Sequence, residues 1–133
     1  MIRIDHLDHL VLTVASIEES CAFYYRVLGM GVETFGEGRK ALTFGNQKIN
    51  LHQAGHEFEP KAQCPTPGSA DLCFISATPL DDVLAHLTTM GVVIEQGPIR
   101  RTGATGPILS IYFRDLDGNL IEVSNYLAPG DQR

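Results

Sequence analysis

The chain has 133 residues, 44% of them hydrophobic and 20% charged, with a formal net charge of −6. That length suits one folded domain with its own core, and the acidic balance argues against nucleic acid or an anionic membrane surface as a partner. No apolar run approaches a membrane span, MIRIDHLDHLVLTV has no signal-peptide pattern, and Cys21, Cys64 and Cys73, without a CxxC, are expected as free thiols in a cytoplasmic protein.

In chain order, DHLVLTV (8–14) alternates like a strand. Ser16 opens S-I-E-E, a capping-box pattern, and Ile17, Cys21, Tyr24, Tyr25 and Leu28 follow at helical spacing up to a stop at Gly29. GVETFGEG, KALTFGN and KINLHQ read as three short strands with turns at Gly36–Gly38 and Gly45–Asn46. The stretch 54–69, rich in polar residues and proline, reads as a linker. ADLCFIS (70–76) is a further strand. Thr78-Pro79 then starts a helix whose buried face is Leu80, Val83, Leu84, Leu87 and Met90, ended by Gly91. VVIEQGP, ILSIYFRD and LIEVSNY are three more strands.

The order strand, helix, three strands thus occurs twice, and its spacing repeats. His9 to Asp71 and Gly29 to Gly91 both span 62 residues, and I-N-L-H lies 72 residues before I-E-V-S. The expected architecture is α+β: two βαβββ modules with curled mixed sheets, module 1 over about 5–53 and module 2 over about 70–126, in one domain. The strand period of two sets Leu10, Leu12, Val14, Leu72, Phe74, Ile49, Leu51, Ile121 and Val123 under the helices. The opposite faces carry His9, Asp71, Asn50, His52 and Glu122. One imidazole and two carboxylates on faces that line a cleft suit a divalent cation such as Mn²⁺, Fe²⁺, Ni²⁺, Co²⁺ or Zn²⁺. The same pattern also describes a solvated polar sheet face without a metal.

With H in DHLVLTV, the helix ending FYYRVLGM, and FRDLDGNLIEV near the C-terminus, residues 5–126 resemble the vicinal oxygen chelate superfamily of glyoxalase I, extradiol dioxygenases, fosfomycin-resistance transferases and metal-free bleomycin-binding proteins. KINLHQ…GSADLCFI resembles its small, lactoylglutathione-lyase-like group. The resemblance implies one divalent ion per chain, held by His9, Asp71 and Glu122, with Asn50 or His52 completing the site. It also implies Glu122 or Asp71 as the base in a lyase or isomerase reaction through an enediolate-type intermediate. Asp71 stands where relatives carry histidine, and Asn50 where glyoxalase I carries glutamate. Arg100, Arg101 and Tyr112 are candidates to bind a small carbonyl substrate or a glutathione adduct. A homodimer is expected, and the alternative is a metal-free small-molecule-binding protein or another superfamily reaction such as that of a dioxygenase or thiol transferase.

Overall fold

Alternating apolar residues near the start of the chain become β1 (His9–Val14), in which Leu12 and Val14 are buried while Val11 is exposed. The fold was taken from a computed structural model that describes residues 1–131, and it divides into two compact units, Met1–Gly68 and the chain from Ser69.

In the first unit β1 leads into α1 (Ile17–Leu28), followed by β2 (Gly31–Phe35), β3 (Arg39–Phe44) and β4 (Gln47–Gln53) in the sheet order β1-β4-β3-β2. Strands β1 and β4 run parallel, and β3 is antiparallel to both β4 and β2. Ser16 Oγ accepts the Glu19 N–H at 3.2 Å, as the capping box requires. Gly29 at φ 67 closes the helix, with the Met30 N–H donating back to the Tyr24 carbonyl at 3.2 Å. The buried stripe of α1 is Ser20, Phe23, Tyr24 and Val27. It is rotated from the expected Ile17–Cys21–Tyr24–Tyr25–Leu28 stripe, and Tyr25 is 67% exposed. Helix α1 packs on β3 and β4, where Leu42, Ile49 and Leu51 are fully buried or nearly so; Phe23 and Val27 are buried with them, whereas Tyr25 stays exposed to water.

The second unit repeats the plan with β5 (Asp71–Ile75), α2 (Leu80–Thr89), β6 (Gln96–Thr102), β7 (Pro107–Arg114) and β8 (Leu120–Tyr126), in the order β5-β8-β7-β6. Its core is Leu80, Val83 and Leu87 of the helix against Ile111, Phe113, Ile121 and Val123. Burying each such side chain contributes about 1.5–3 kcal/mol. The expected strand VVIEQGP is corrected. Pairing in β6 starts at Gln96 and continues to Thr102, and Val93 is 82% exposed. The register slips between Gln96 and Ile99, where Gly97 at φ 112 lies against the Ser110 carbonyl and leaves no room for a side chain.

Two buried side chains set the register at one end of this sheet. Asp115 accepts the N–H groups of Asp117 (3.0 Å) and Asn119 (2.9 Å) on Oδ1, and Asn119 Nδ2 on Oδ2 (2.8 Å). Asn119 Oδ1 in turn accepts the Ala70 N–H at 2.8 Å, one residue before Asp71.

Each helix start is tied to the last strand of its unit by a side-chain amide. Gln53 Oε1 accepts the Ile17 N–H (3.2 Å) while its Nε2 donates to the Ala15 carbonyl (2.6 Å). Asn125 Oδ1 accepts the Leu80 N–H (2.7 Å), and its Nδ2 donates to the carbonyls of Ser76 (3.0 Å) and Thr78 (2.9 Å). Helix α2 begins at Pro79, which offers no capping side chain, so Asn125 serves as its cap from another strand. Asn125→Ala is expected to cost about 2 kcal/mol, at roughly 1 kcal/mol per net hydrogen bond lost with discount for partial exposure. Urea denaturation of the purified variant checks this, and a midpoint unchanged from wild type would refute the capping role.

Candidate functional site

The polar face of the second sheet is laid out by register. Cys73, Glu122 and Tyr112 form one row across β5, β8 and β7, and Ile75, Ser124 and Ser110 form the next. Glu122 is therefore at the centre of its sheet, half-buried, with a tyrosine directly opposite. It receives a long hydrogen bond of 3.4 Å from Ser124 Oγ. Ser124 and Ser110 are fully buried and share a 2.6 Å hydrogen bond. Cys73 Sγ lies 3.5 Å from Ser124 Oγ. Burial pushes the Cys73 thiol up and Glu122 adds to this, against the Ser124 hydrogen bond, so the thiol is protonated at neutral pH and is no nucleophile.

These rows wall a cavity of about 350 Å³, whose lining includes Cys73, Ile75, Ile108, Tyr112, Glu122 and Arg101. Loop residues 102–104 and Tyr126 close one end. Arg101 Nε donates to Tyr112 Oη at 2.9 Å, and its guanidinium lies 5.6 Å from that ring. Arg100 is on the other face of β6, opposite Leu109, and its Nη2 donates to the Asp131 carbonyl at 2.5 Å. Neighbouring residues of a strand point oppositely, so the structure places Arg101 and Tyr112 at the cavity and Arg100 away from it. Asp71 sits one row beyond Cys73, opposite Leu120, and is exposed.

In the first unit His9 lies opposite Lys48, Asn50 opposite Val11, and His52 opposite Thr13. His9 is at the exposed start of β1, and its Nδ1 donates to Asp8 Oδ1 at 2.8 Å. An ionised carboxylate only accepts, so this bond puts the proton on Nδ1 and leaves the Nε2 lone pair of the neutral ring free. The same bond lowers the Asp8 pKa.

The adjacent row was not foreseen. Arg39 is the first residue of β3 and lies beside His52. Arg39 Nη2 donates to His52 Nε2 at 3.3 Å, and a guanidinium can only donate. The Arg39 guanidinium is 5.0 Å from the Phe35 ring and 4.5 Å from that of Phe58. Phe58, from the connecting segment, also meets the His52 ring edge-on at 5.6 Å, and Lys48 Nζ lies 4.0 Å from the Phe35 ring. The expected strand KALTFGN starts at Lys40, one residue after the observed start of β3; counting one residue earlier puts Arg39 on the His52 row. Asn50 is 6% exposed and its Oδ1, like Arg39 Nε, is buried without a hydrogen-bond partner.

Among the described residues no three of His, Cys, Asp and Glu gather in a group that could hold a metal ion. His9 lies on the polar face of the first sheet, and Asp71 and Glu122 lie on that of the second.

Residues 6–123 match the family described as the Glyoxalase/Bleomycin resistance protein/Dioxygenase superfamily. The chain belongs to this superfamily. It is 60% identical over 124 residues to the virulence protein STM3117 of Salmonella typhimurium, covering 93% of this chain and 86% of that protein. The crystal structure of that protein has a TM-score of 0.93 over 95% of this chain and 100% of its own. The glyoxalase domain-containing protein RDO1 of Mycosarcoma maydis is 58% identical over 120 residues, 90% of this chain and 68% of that protein. A lactoylglutathione lyase from Agrobacterium tumefaciens has a TM-score of 0.70 at 21% identity, over 92% of this chain and 94% of its own, which shows a shared fold alone. The superfamily's pair of βαβββ units with open mixed sheets is the architecture seen here.

His52 offers a pH handle on the first unit. Burial lowers its pKa from 6.5 and the Arg39 cation lowers it further, against Glu57, so the folded state resists its protonation. The unfolded chain binds a proton as pH falls through 6.5 and the folded chain does not, so stability drops in that window and levels off below the folded pKa. His52→Gln is expected to flatten the fall in melting temperature between about pH 7 and pH 5.5. Melting curves of both proteins across that range check it; parallel curves would contradict it.

Proposed function

We propose that this protein is a metal-dependent lyase or isomerase of the glyoxalase I type, acting on a small carbonyl compound or a thiol adduct. The observation that carries the reading is the position of Glu122: a carboxylate on the central strand of an open sheet, at the wall of a cavity, facing Tyr112 and paired with no cation among the described residues. A half-buried carboxylate without a positive partner is costly unless a ligand supplies one.

The donor set fits a divalent metal. His9 has its Nε2 lone pair free because Asp8 holds Nδ1–H, the arrangement in which a carboxylate orients a metal-binding imidazole. Asn50 Oδ1 is a buried acceptor without a donor. His52 fits less well, since its Nε2 already accepts from Arg39 and a fixed cation stands beside it. The holding residues would be His9, Asp71 and Glu122, with Asn50 as the neutral fourth. When bound, a divalent ion of this kind supplies Lewis-acid polarisation of a substrate carbonyl.

The chain's own groups do the rest. Glu122 removes a proton from the carbon next to the carbonyl and returns it to the neighbouring carbon; Asp71 is the second carboxylate able to do so. Tyr112 Oη accepts from Arg101, so its own proton is free to be donated to a substrate oxygen. The cavity walls are apolar at Ile75 and Ile108. A homodimer that draws on two copies of the chain is part of this proposal.

A metal-free small-molecule-binding protein is the second reading, and the lack of a three-ligand cluster among the described residues favours it. One experiment separates the two. The protein is stripped, reloaded with Ni²⁺, Mn²⁺, Fe²⁺, Co²⁺ or Zn²⁺ in turn, and assayed with the methylglyoxal–glutathione hemithioacetal. The expected result is one ion per chain, metal-dependent turnover, and a drop of about 10²–10⁴-fold in kcat for Glu122→Gln, the usual contribution of a positioned base. Asp8→Asn should weaken metal affinity about 10–100-fold, as loss of an orienting partner does. No ion retained after reloading, with ligand binding unaltered in Glu122→Gln, would leave the binding protein as the answer.

A further inference from the structure

The cavity of the second unit is lined by side chains of opposite charge, Arg101 and Glu122. Arg101 is opposite Ile108 on β7, while Glu122 is opposite Tyr112, four residues further along β7 and across the sheet from β6. At about 3.3 Å per residue and about 4.8 Å per strand, their Cα atoms are about 16 Å apart. Between them the wall is mostly apolar, with Ile75, Ile108 and the Tyr126 ring.

The Arg101 end is built to be stiff. Tyr112 Oη holds Arg101 Nε, and no carboxylate among the described residues pairs with the guanidinium. The loop beyond it is latched, because Tyr126 Oη accepts the Thr105 N–H at 3.2 Å. Gly103 has no room for even a methyl group, which would stand 2.9 Å from the Gly106 carbonyl, Ile108 Cγ2 and Tyr126 Oη. Elsewhere in this unit a cation near the sheet edge is satisfied: Arg114 is held in a fork by Glu95 at 3.1 Å on both oxygens. Arg101 is held at Nε by a neutral phenol and at Nη1 by the Arg100 carbonyl at 3.4 Å, which leaves Nη2 facing the cavity without a carboxylate partner among the described residues.

We propose that this cavity takes a carboxylate-bearing small molecule, its carboxylate on Arg101 and its apolar body along Ile75, Ile108 and Tyr126, with the other end at Glu122. This rests on the functional reading above only in making the Glu122 end the reacting end; the carboxylate subsite itself needs no metal. A guanidinium favours a planar anion over a neutral amide of the same shape by charge-assisted hydrogen bonds.

The test uses the full chain, stripped of metal with EDTA, and two probes of equal shape, phenylacetate and phenylacetamide, titrated by calorimetry. Phenylacetate is expected to bind about tenfold more tightly than the amide. Arg101→Gln should abolish that preference, with a cooperative melting transition showing that the variant is folded; Arg101→Lys should restore part of it. Equal affinity for the two probes, no binding of phenylacetate, or a preference that survives Arg101→Gln would overturn the proposal. Because no metal or turnover enters, these outcomes are independent of whether the protein proves to be a metalloenzyme.

Discussion

The polar edge of the second sheet depends on the Asp115 carboxylate. A buried carboxylate is tolerable only when hydrogen-bond donors surround it, and here the turn after β7 provides them from Asp117 and Asn119. Asn119, 1% exposed, spends its remaining acceptor on the Ala70 N–H. The Leu120 N–H donates to the Ala70 carbonyl at 3.0 Å, so the start of β5 is fixed against the start of β8 from both sides. That fixes which residue faces which: Cys73 comes opposite Glu122, and Asp71 falls one row away. A slip of one residue would turn Glu122 into the apolar core and Val123 into the cavity. The DxDGN stretch is thus a register lock first, and the position of the carboxylate follows from it.

The two polar faces have diverged in their chemistry. In the first unit the row beside β1 is cationic and aromatic, with Arg39 between Phe35 and Phe58 and a neutral His52 as its acceptor. In the second unit the equivalent rows hold a carboxylate, a buried serine pair and an open cavity. Desolvation keeps His52 uncharged beside a fixed cation, and a second positive charge there would meet repulsion at 3.3 Å.

Much of this was legible in the sequence because strand alternation has a rigid period. The bounds of β8, the Ser16 cap, both glycine stops and the division of each strand into two faces came from local pattern alone. What local pattern could not supply was anything decided by a neighbour. The buried side of α1 depends on which strand residues it meets, so Tyr25 was misplaced. The expected strand VVIEQGP ends at Pro98, yet pairing with Pro107 and Ile108 carries β6 on to Thr102 and sends Arg100 and Arg101 to opposite faces. Of the candidate residues, the polar face of the first sheet with Asn50 and His52 and that of the second with Glu122 were legible; Arg39 and the loop beside the cavity were not, since both come into place only through pairing across strands.

The two amide ties at the helix starts have a bearing on where the chain came from. Gln53 and Asn125 are 72 residues apart, the same offset that relates Asn50 to Glu122. Each reaches from the last strand of its unit to the first N–H of its helix and to the carbonyl two residues before that N–H. A shared side-chain device of that detail, made by residues one methylene apart in length, is the mark of descent from a single ancestral half. The tie is common to both units; the aromatic cation of one and the carboxylate-walled cavity of the other lie on faces that the tie does not touch.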